Sequence, residues 1–207
     1  MAQLVEKRHV YDTYQLISSE FDRSRHHVWP CVRDFLDKAP RGQSLLEIGC
    51  GNGKNLLYRQ ADLNGIGIDL VPNFVTMCRE KGLVVLEGSA VDLPFGEEKF
   101  DNCISVAVFH HLASEERRIT ALREMYRVLR RGGRGMIVCW AYEQADNDIN
   151  KELHLGDQYI GWRGRDGTER YYYCYDKEGF EKYTSNISVG EGRIWWQKGN
   201  WVFEFTK

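Results

Sequence analysis

The sequence predicts an α/β domain with a mostly parallel sheet, and three observations carry that prediction. Five apolar runs of strand length recur, at "SLLEIGC" (44–50), "GIGIDL" (65–70), "LVVLEG" (83–88), "NCISVAVF" (102–109) and "GMIVCW" (135–140). Helical segments lie between most of them, and the runs are apolar throughout, as strands are when both faces of a sheet are covered. The C-terminal "GRIWWQKGNWVFEFTK" reads instead as two aromatic-rich strands about a Gly199-Asn200 turn, an antiparallel hairpin. The expected architecture is five parallel strands closed by that hairpin, a seven-stranded sheet. A single domain of 207 residues buries roughly 70% of its unfolded surface and needs no staples.

Two helices precede the first strand. Val10, Tyr14, Ile17 and Phe21 recur at helical spacing, and Pro30 opens a second helix whose inner face is Val32, Phe35 and Leu36. Between the fourth and fifth strands, Ser114 caps a helix with Ile119, Leu122, Met125 and Leu129 as its buried stripe, and Gly132-Gly133 end it. The expected organisation is one domain: helices covering the site over 1–40, a ligand-binding core over 41–140, a substrate-side insertion over 141–175, and a helix with the hairpin over 176–207.

Composition narrows the function classes. No run approaches the ~20 apolar residues of a membrane span, and "MAQLVEKRHV" lacks the pattern of a secretory leader, so a soluble, cytoplasmic or nuclear protein without a membrane partner is expected. The six cysteines stand apart with no CxxC, which argues against a disulfide framework or a cysteine-zinc site. The net charge is −2, yet Arg117, Arg118, Arg123, Arg127, Arg130, Arg131 and Arg134 face only Glu124 in their window. That run is either a solvated helix face or a phosphate-contacting surface.

"EIGCGNGKN" follows the first strand, so Gly49, Gly51 and Gly53 form a tight turn that lets backbone approach a ligand. A dinucleotide fingerprint needs its third glycine at position 54, which is Lys54. The GxGxG spacing behind Glu47 suits a ligand with an amino acid and a nucleoside but no pyrophosphate. Glu47 then organises the loop or the ammonium side, and Asp69, ending the second strand beside Leu70, accepts both ribose hydroxyls. Strand order and glycine spacing together predict the Rossmann-like class I fold of methyltransferases that use S-adenosylmethionine. Ser89 and Ala90 follow the third strand and meet the adenine edge, while Asp92 caps the following turn or assists the base. Ala107 lies at the end of the fourth strand, where ligands of open parallel sheets collect. His110 and His111 lie there too. No third ligand stands at HxH or HxxxH spacing, so no metal is expected; one histidine packs and the other faces the methyl donor, or both are structural.

"IGCGNGK", "CISVAVFHHLASEERRITALREMYRVLRRGG", "VCWAYEQ", "VYDTYQLISSEFDRSRHHVWP" and "RYYYCY" together resemble the eukaryotic tRNA wobble-uridine carboxymethyl methyltransferases, including the module fused to an AlkB-type oxygenase in animals. The resemblance implies methylation of the carboxylate of 5-carboxymethyluridine in the tRNA anticodon loop. It also implies a heterodimer with a small zinc-binding methyltransferase activator. A carboxylate is already ionised near pH 7, so it attacks without a general base and the protein mainly positions it. Arg25 and Arg170 lie in family-like motifs and are candidates to hold that anion, with Tyr171 and Tyr172 beside the flipped base. Trp140 and Glu143 are further pocket candidates. Arg25 bridging the helices and "RYYY" packing as a plain strand are the structural alternatives. The chain departs from the pattern in a short segment at 145–169 and in Tyr173, where histidine is expected, which leaves position 173 open. The apolar "LVVLEG" falls at a sheet edge, a place for the activator to add a strand. A small-molecule methyltransferase is the second reading and a catalytically silent binding version of the fold the third.

Overall fold

A computed structural model describes residues 1–144, 153–163 and 165–207. Part of the expected insertion, 145–152, lies outside the described residues. The strands are β1 (Ser44–Ile48), β2 (Asn64–Asp69), β3 (Val84–Glu87), β4 (Phe100–Val106), β5 (Leu129–Trp140), β6 (Gly156–Gly161), β7 (Glu169–Cys174), β8 (Glu191–Gln197) and β9 (Asn200–Thr206). The main sheet runs β3-β2-β1-β4-β5-β9-β8; the first five strands are parallel and β9 runs antiparallel to both β5 and β8. This is the expected class I architecture.

Successive residues of a strand face opposite ways, and the interior divides accordingly. Leu46, Cys103, Ile137 and Cys139 pack with α6 (Glu115–Val128) and α7 (Lys177–Thr184). Leu45, Ile104, Met136 and Val138 pack with α3 (Pro30–Asp37), α4 (Lys54–Tyr58) and α5 (Pro72–Glu80). Pro30 opens α3, and Val32, Phe35 and Leu36 are its buried face, as the spacing predicts. At the N-terminus α1 (Ala2–Glu6) continues through a π-helical turn (Lys7–Tyr11) into α2 (Asp12–Ser24). Tyr14 and Ile17 of α2 form a third cluster with Val71 and Phe74, so α2 lies across the carboxyl ends of the strands. No helix among the described residues is long and apolar enough to cross a membrane.

Three expectations need correction. The Ser114 hydroxyl does cap α6, accepting from the Arg117 N–H, but the helix ends at Val128 and leads straight into β5. Gly132-Gly133 therefore lie inside a strand. A Cβ at Gly133 would sit 2.8 Å from the Arg130 carbonyl oxygen and 3.1 Å from that of Asp101, so glycine is required where β5 irregularly approaches β4. The hairpin turn is Lys198-Gly199, with φ of 48° and 77°, and Asn200 already belongs to β9. Two left-handed residues match the twist of the paired strands. The arginine run is not an open cationic surface. Arg117 pairs with Glu6, Arg127 with Glu124, Arg130 with Asp101, Arg131 with Glu98 and Arg134 with Glu204. Arg118 is buried, donating to the Leu112 carbonyl and lying 3.7 Å from the Tyr173 ring centroid. Apart from Glu124 the counter-ions come from sequence-distant segments, so a local window could not show them.

β6 and β7 form a separate two-stranded antiparallel sheet. A bridge between Ala141 and Tyr175 joins it to the end of β5, which sets it over the cavity described next. Gly133→Ala is expected to destabilise the protein by about 1–3 kcal/mol, the scale of overpacking against fixed backbone. Gly132→Ala, with open space around it, should cost about 1 kcal/mol through its positive φ alone. Urea unfolding of both variants checks that order.

Candidate active site

A cavity of about 310 Å³ opens at the carboxyl ends of β1, β2, β4 and β5, roofed by α2 and walled by β7. At one end the chain turns from β1 into α4 through Gly49, Gly51 and Gly53, all at positive φ. The clearance at Gly49 and Gly53 serves packing, because a Cβ there would meet Val108 and Leu83 at 2.4 Å. A Cβ at Gly51 would stand 3.5 Å from the Phe21 ring of α2. Asp69 holds this turn in place: one carboxylate oxygen accepts from the Gly51 N–H at 2.7 Å, the other from the Val71 N–H at 2.9 Å. Burial raises its pKa to about 6 despite these bonds. Each oxygen keeps a lone pair for another donor.

Glu47 is fully enclosed. One oxygen accepts from Asn55 Nδ2 at 2.6 Å, while Oε2 and the Asn55 Oδ1 have no partner. Burial pushes its pKa up to about 8. Leu70, Ser89, Ala90 and Ala107 also line the cavity. The Ser89 hydroxyl is engaged by the Val91 N–H, and Asp92 closes the turn onto the Ser89 carbonyl, so Asp92 belongs to the turn. Ala107 has φ of 60°, a strained conformation for a residue with a Cβ, held by its N–H bond to the Val138 carbonyl. S-adenosylmethionine fits this donor set. Asp69 presents two acceptors for a diol, Glu47 an orphaned buried oxygen for an ammonium, and Leu70 and Ala90 an apolar wall for a base.

The two histidines occupy a short 3₁₀ turn, Phe109–His111, after β4. The rings stand 4.5 Å apart at 78°, and each has its tautomer set by its neighbours. His111 Nδ1 lies 2.6 Å from the Tyr171 carbonyl oxygen and must carry the proton; its Nε2 accepts from the Tyr14 hydroxyl at 2.9 Å. Burial lowers its pKa to about 3. His110 Nδ1 accepts from the Trp140 N–H at 3.0 Å, which leaves the proton on Nε2. That N–H is buried at the cavity and has no partner. Burial, with His111 and Arg170 adding to it, drives the His110 pKa well down. Both rings are neutral.

Period two along β7 places Arg170 and Tyr172 at the cavity and turns Tyr171 and Tyr173 away. Tyr171 donates to Asp157 at 2.5 Å, and Tyr173 packs on Tyr175 and under Arg118, a packing role for the position left open. Arg170 Nη1 donates to the Tyr172 hydroxyl at 2.7 Å, Nη2 to the Gly161 carbonyl, and Nε is buried without a partner. Tyr172 stacks on Trp140 with centroids 4.4 Å apart. Arg25 is exposed at the rim, its guanidinium 5.6 Å from the Trp162 ring centroid and 6.0 Å from that of Phe21. Glu143 is not a pocket residue; its carbonyl and carboxylate accept from Trp196 and Trp201, pinning the chain to the hairpin. Sequence reasoning missed Lys54, Trp29 and Trp162. It also took Val10, Tyr14 and Phe21 for packing alone, although the same helical stripe lines the cavity. For Trp162 the available signal was an aromatic amid the glycines and charges of "GWRGRDG".

A family profile described as a methyltransferase domain matches residues 46–137. The tRNA (carboxymethyluridine(34)-5-O)-methyltransferase alkbh8 of Xenopus tropicalis is 44% identical over 154 residues, covering 74% of this chain. The chain spans about a quarter of that relative, 24% of its length. Among solved structures, a SAM-dependent methyltransferase of Thermotoga maritima superposes with a TM-score of 0.69 at 17% identity, over 96% of this chain and 100% of that one. The complex of the Haloferax volcanii Trm112 methyltransferase activator with a methyltransferase matches at 0.67 and 17% identity, over 96% of this chain and 98% of that one. These structural likenesses show the class I fold.

The buried histidines give a pH signature. A base whose folded pKa lies below its unfolded value adds stability that is complete above about 6.5 and is lost as pH falls toward 3. Unfolding at pH 5 should therefore take up about one proton fewer in His111→Gln than in the unsubstituted chain. The slope of stability against pH should flatten by about 1.4 kcal/mol per unit. Equal slopes from denaturant titrations would show that His111 is not buried neutral.

Proposed function

We propose that this chain, a class I methyltransferase by fold and a homologue of the tRNA carboxymethyluridine methyltransferases by sequence, methylates the carboxylate of 5-carboxymethyluridine at the tRNA wobble position. The observation that carries this reading is Arg170, buried at the cavity with an unpartnered Nε–H among aromatic rings and beside two histidines that carry no charge. Neither imidazole beside it has a free acceptor nitrogen, and the guanidinium is placed to receive an anion. S-adenosylmethionine, when bound, supplies a methyl group on a positively charged sulfur. The side chains have separate tasks. Arg170 directs its free N–H at one carboxylate oxygen and leaves the other free to react, since full pairing would blunt the nucleophile. His110 offers its Nε2–H as a neutral donor. Trp140 and Tyr172 present a stacked aromatic wall for a base taken out of its strand. α2 and Tyr14 exclude water above them.

The rim supports an RNA acceptor. Arg25 is exposed there; Arg23 at the end of α2, His26 and His27 are exposed near it in the chain and Arg163 on the loop after β6, and an ion pair between Arg165 and Glu20 ties that loop to α2. For a partner we assign the edge strand β3, where Val84 is 60% and Leu86 38% exposed. An uncovered apolar edge invites an added strand, and a small zinc-binding activator is the proposed donor of it. The same reading places the protein in the cytoplasm and nucleus, where tRNA is modified.

Labelled methyl from S-adenosylmethionine should enter tRNA only when carboxymethyluridine is present, and mild alkali should release it as methanol, because the product is an ester. Alkali-stable label would exclude this acceptor. Arg170→Ala should lower kcat/KM about a hundredfold, the scale of a lost charge-assisted hydrogen bond, with cofactor affinity retained. Expressed alone, the chain should be poorly soluble and gain solubility with the activator; a monodisperse, fully active single chain would remove the partner from the proposal.

A further inference from the structure

Lys54 is the cation of the cavity that the reading above does not use. It begins α4, directly after the glycine turn, and its side chain lines the cavity with Nζ 5.6 Å from the Trp29 ring centroid. Among the described residues no carboxylate pairs with it. The acids around the turn are already committed: Glu47 to Asn55, Asp69 to the Gly51 and Val71 N–H groups, and Asp22 to Lys81. Glu47 makes no ion pair with Lys54. Burial, with Arg25 adding to it, lowers the Lys54 pKa, while Glu47 opposes the shift. An ammonium taken partly out of water without a counter-ion is costly, so the geometry calls for an anion supplied from outside the chain.

The position of Lys54 in the cavity identifies that anion. Asp69 faces the ribose, Leu70, Ser89 and Ala90 the base, and Arg170 with Tyr172 and Trp140 the acceptor. The amino-acid end of the cofactor falls at the glycine turn. Its ammonium has the orphaned Glu47 Oε2; its carboxylate has no counterpart among those residues. We propose that Lys54 holds the carboxylate of the cofactor's amino-acid end, with the Trp29 ring as the apolar wall that keeps water from the pair. The proposal rests on the S-adenosylmethionine reading. The competing seat is Arg25, which lies on Phe21 and Trp162 at the rim.

Calorimetric titration of the full chain with S-adenosylhomocysteine and with its decarboxylated amine isolates the carboxylate, with no turnover required. The unsubstituted chain should prefer the carboxylate-bearing ligand by roughly ten- to a hundredfold, the range of a charge-assisted contact. Lys54→Met should lose that preference while its affinity for the amine stays within about twofold, and Lys54→Arg should keep most of it. The unchanged amine affinity also reports that Lys54→Met is folded. A Lys54→Met chain that retains the preference overturns the proposal, as does a preference abolished only in Arg25→Ala. Binding of neither ligand to the unsubstituted chain would instead sink the cofactor reading itself.

Discussion

The imidazole of His111 joins three parts of the chain that are far apart in sequence. Its Nδ1–H reaches the Tyr171 carbonyl of β7, its Nε2 takes the Tyr14 hydroxyl of α2, and its backbone follows β4. Because both ring nitrogens are used and the ring is buried, the arrangement tolerates only the neutral form. One uncharged side chain therefore ties the roof of the cavity to its far wall, beside a second bond from the Thr13 hydroxyl to the Glu169 carbonyl. Arg170 and Tyr172, next along β7, inherit their placement from these bonds.

Around this joint the cavity divides by charge. At the glycine turn two enclosed carboxyls, Glu47 and Asp69, have pKa values lifted to about 8 and about 6 by burial. Near neutrality Glu47 acts as a hydrogen-bonding surface more than as a fixed negative charge, whereas Asp69 keeps most of its charge. At the opposite wall Arg170 keeps its charge, and beside it the histidines have none. That wall has no imidazole nitrogen free to take up a proton from an acceptor. It suits one that arrives already ionised.

The arginine run shows how sequence position misleads where partners are remote. Seven arginines with one local acid look like a nucleic-acid face, yet Glu6, Glu98, Asp101 and Glu204 come from other elements to pair with them. The exposed arginine at the cavity is Arg25 instead, in "RSRHH", a stretch too short to stand out by composition.

Local chemistry determined much of this protein. Unbroken apolar runs specified the parallel strands, Pro30 and Ser114 the starts of α3 and α6, and the glycine spacing with Asp69 the tight turn at one end of the cavity. Those features depend on φ, caps and side-chain period, all of which act between residues close along the chain. The ends of α6 and of the hairpin turn were misplaced, because close approach of β5 to β4 and the twist of β8 on β9 decide them. Which histidine carries its proton on which nitrogen, that Glu143 anchors two tryptophans, and that Lys54 and Trp29 enter the cavity were decided only by the tertiary structure. The reason is physical: a hydrogen bond or a desolvated charge takes its meaning from what stands opposite it, and here the opposite group is often more than fifty residues away.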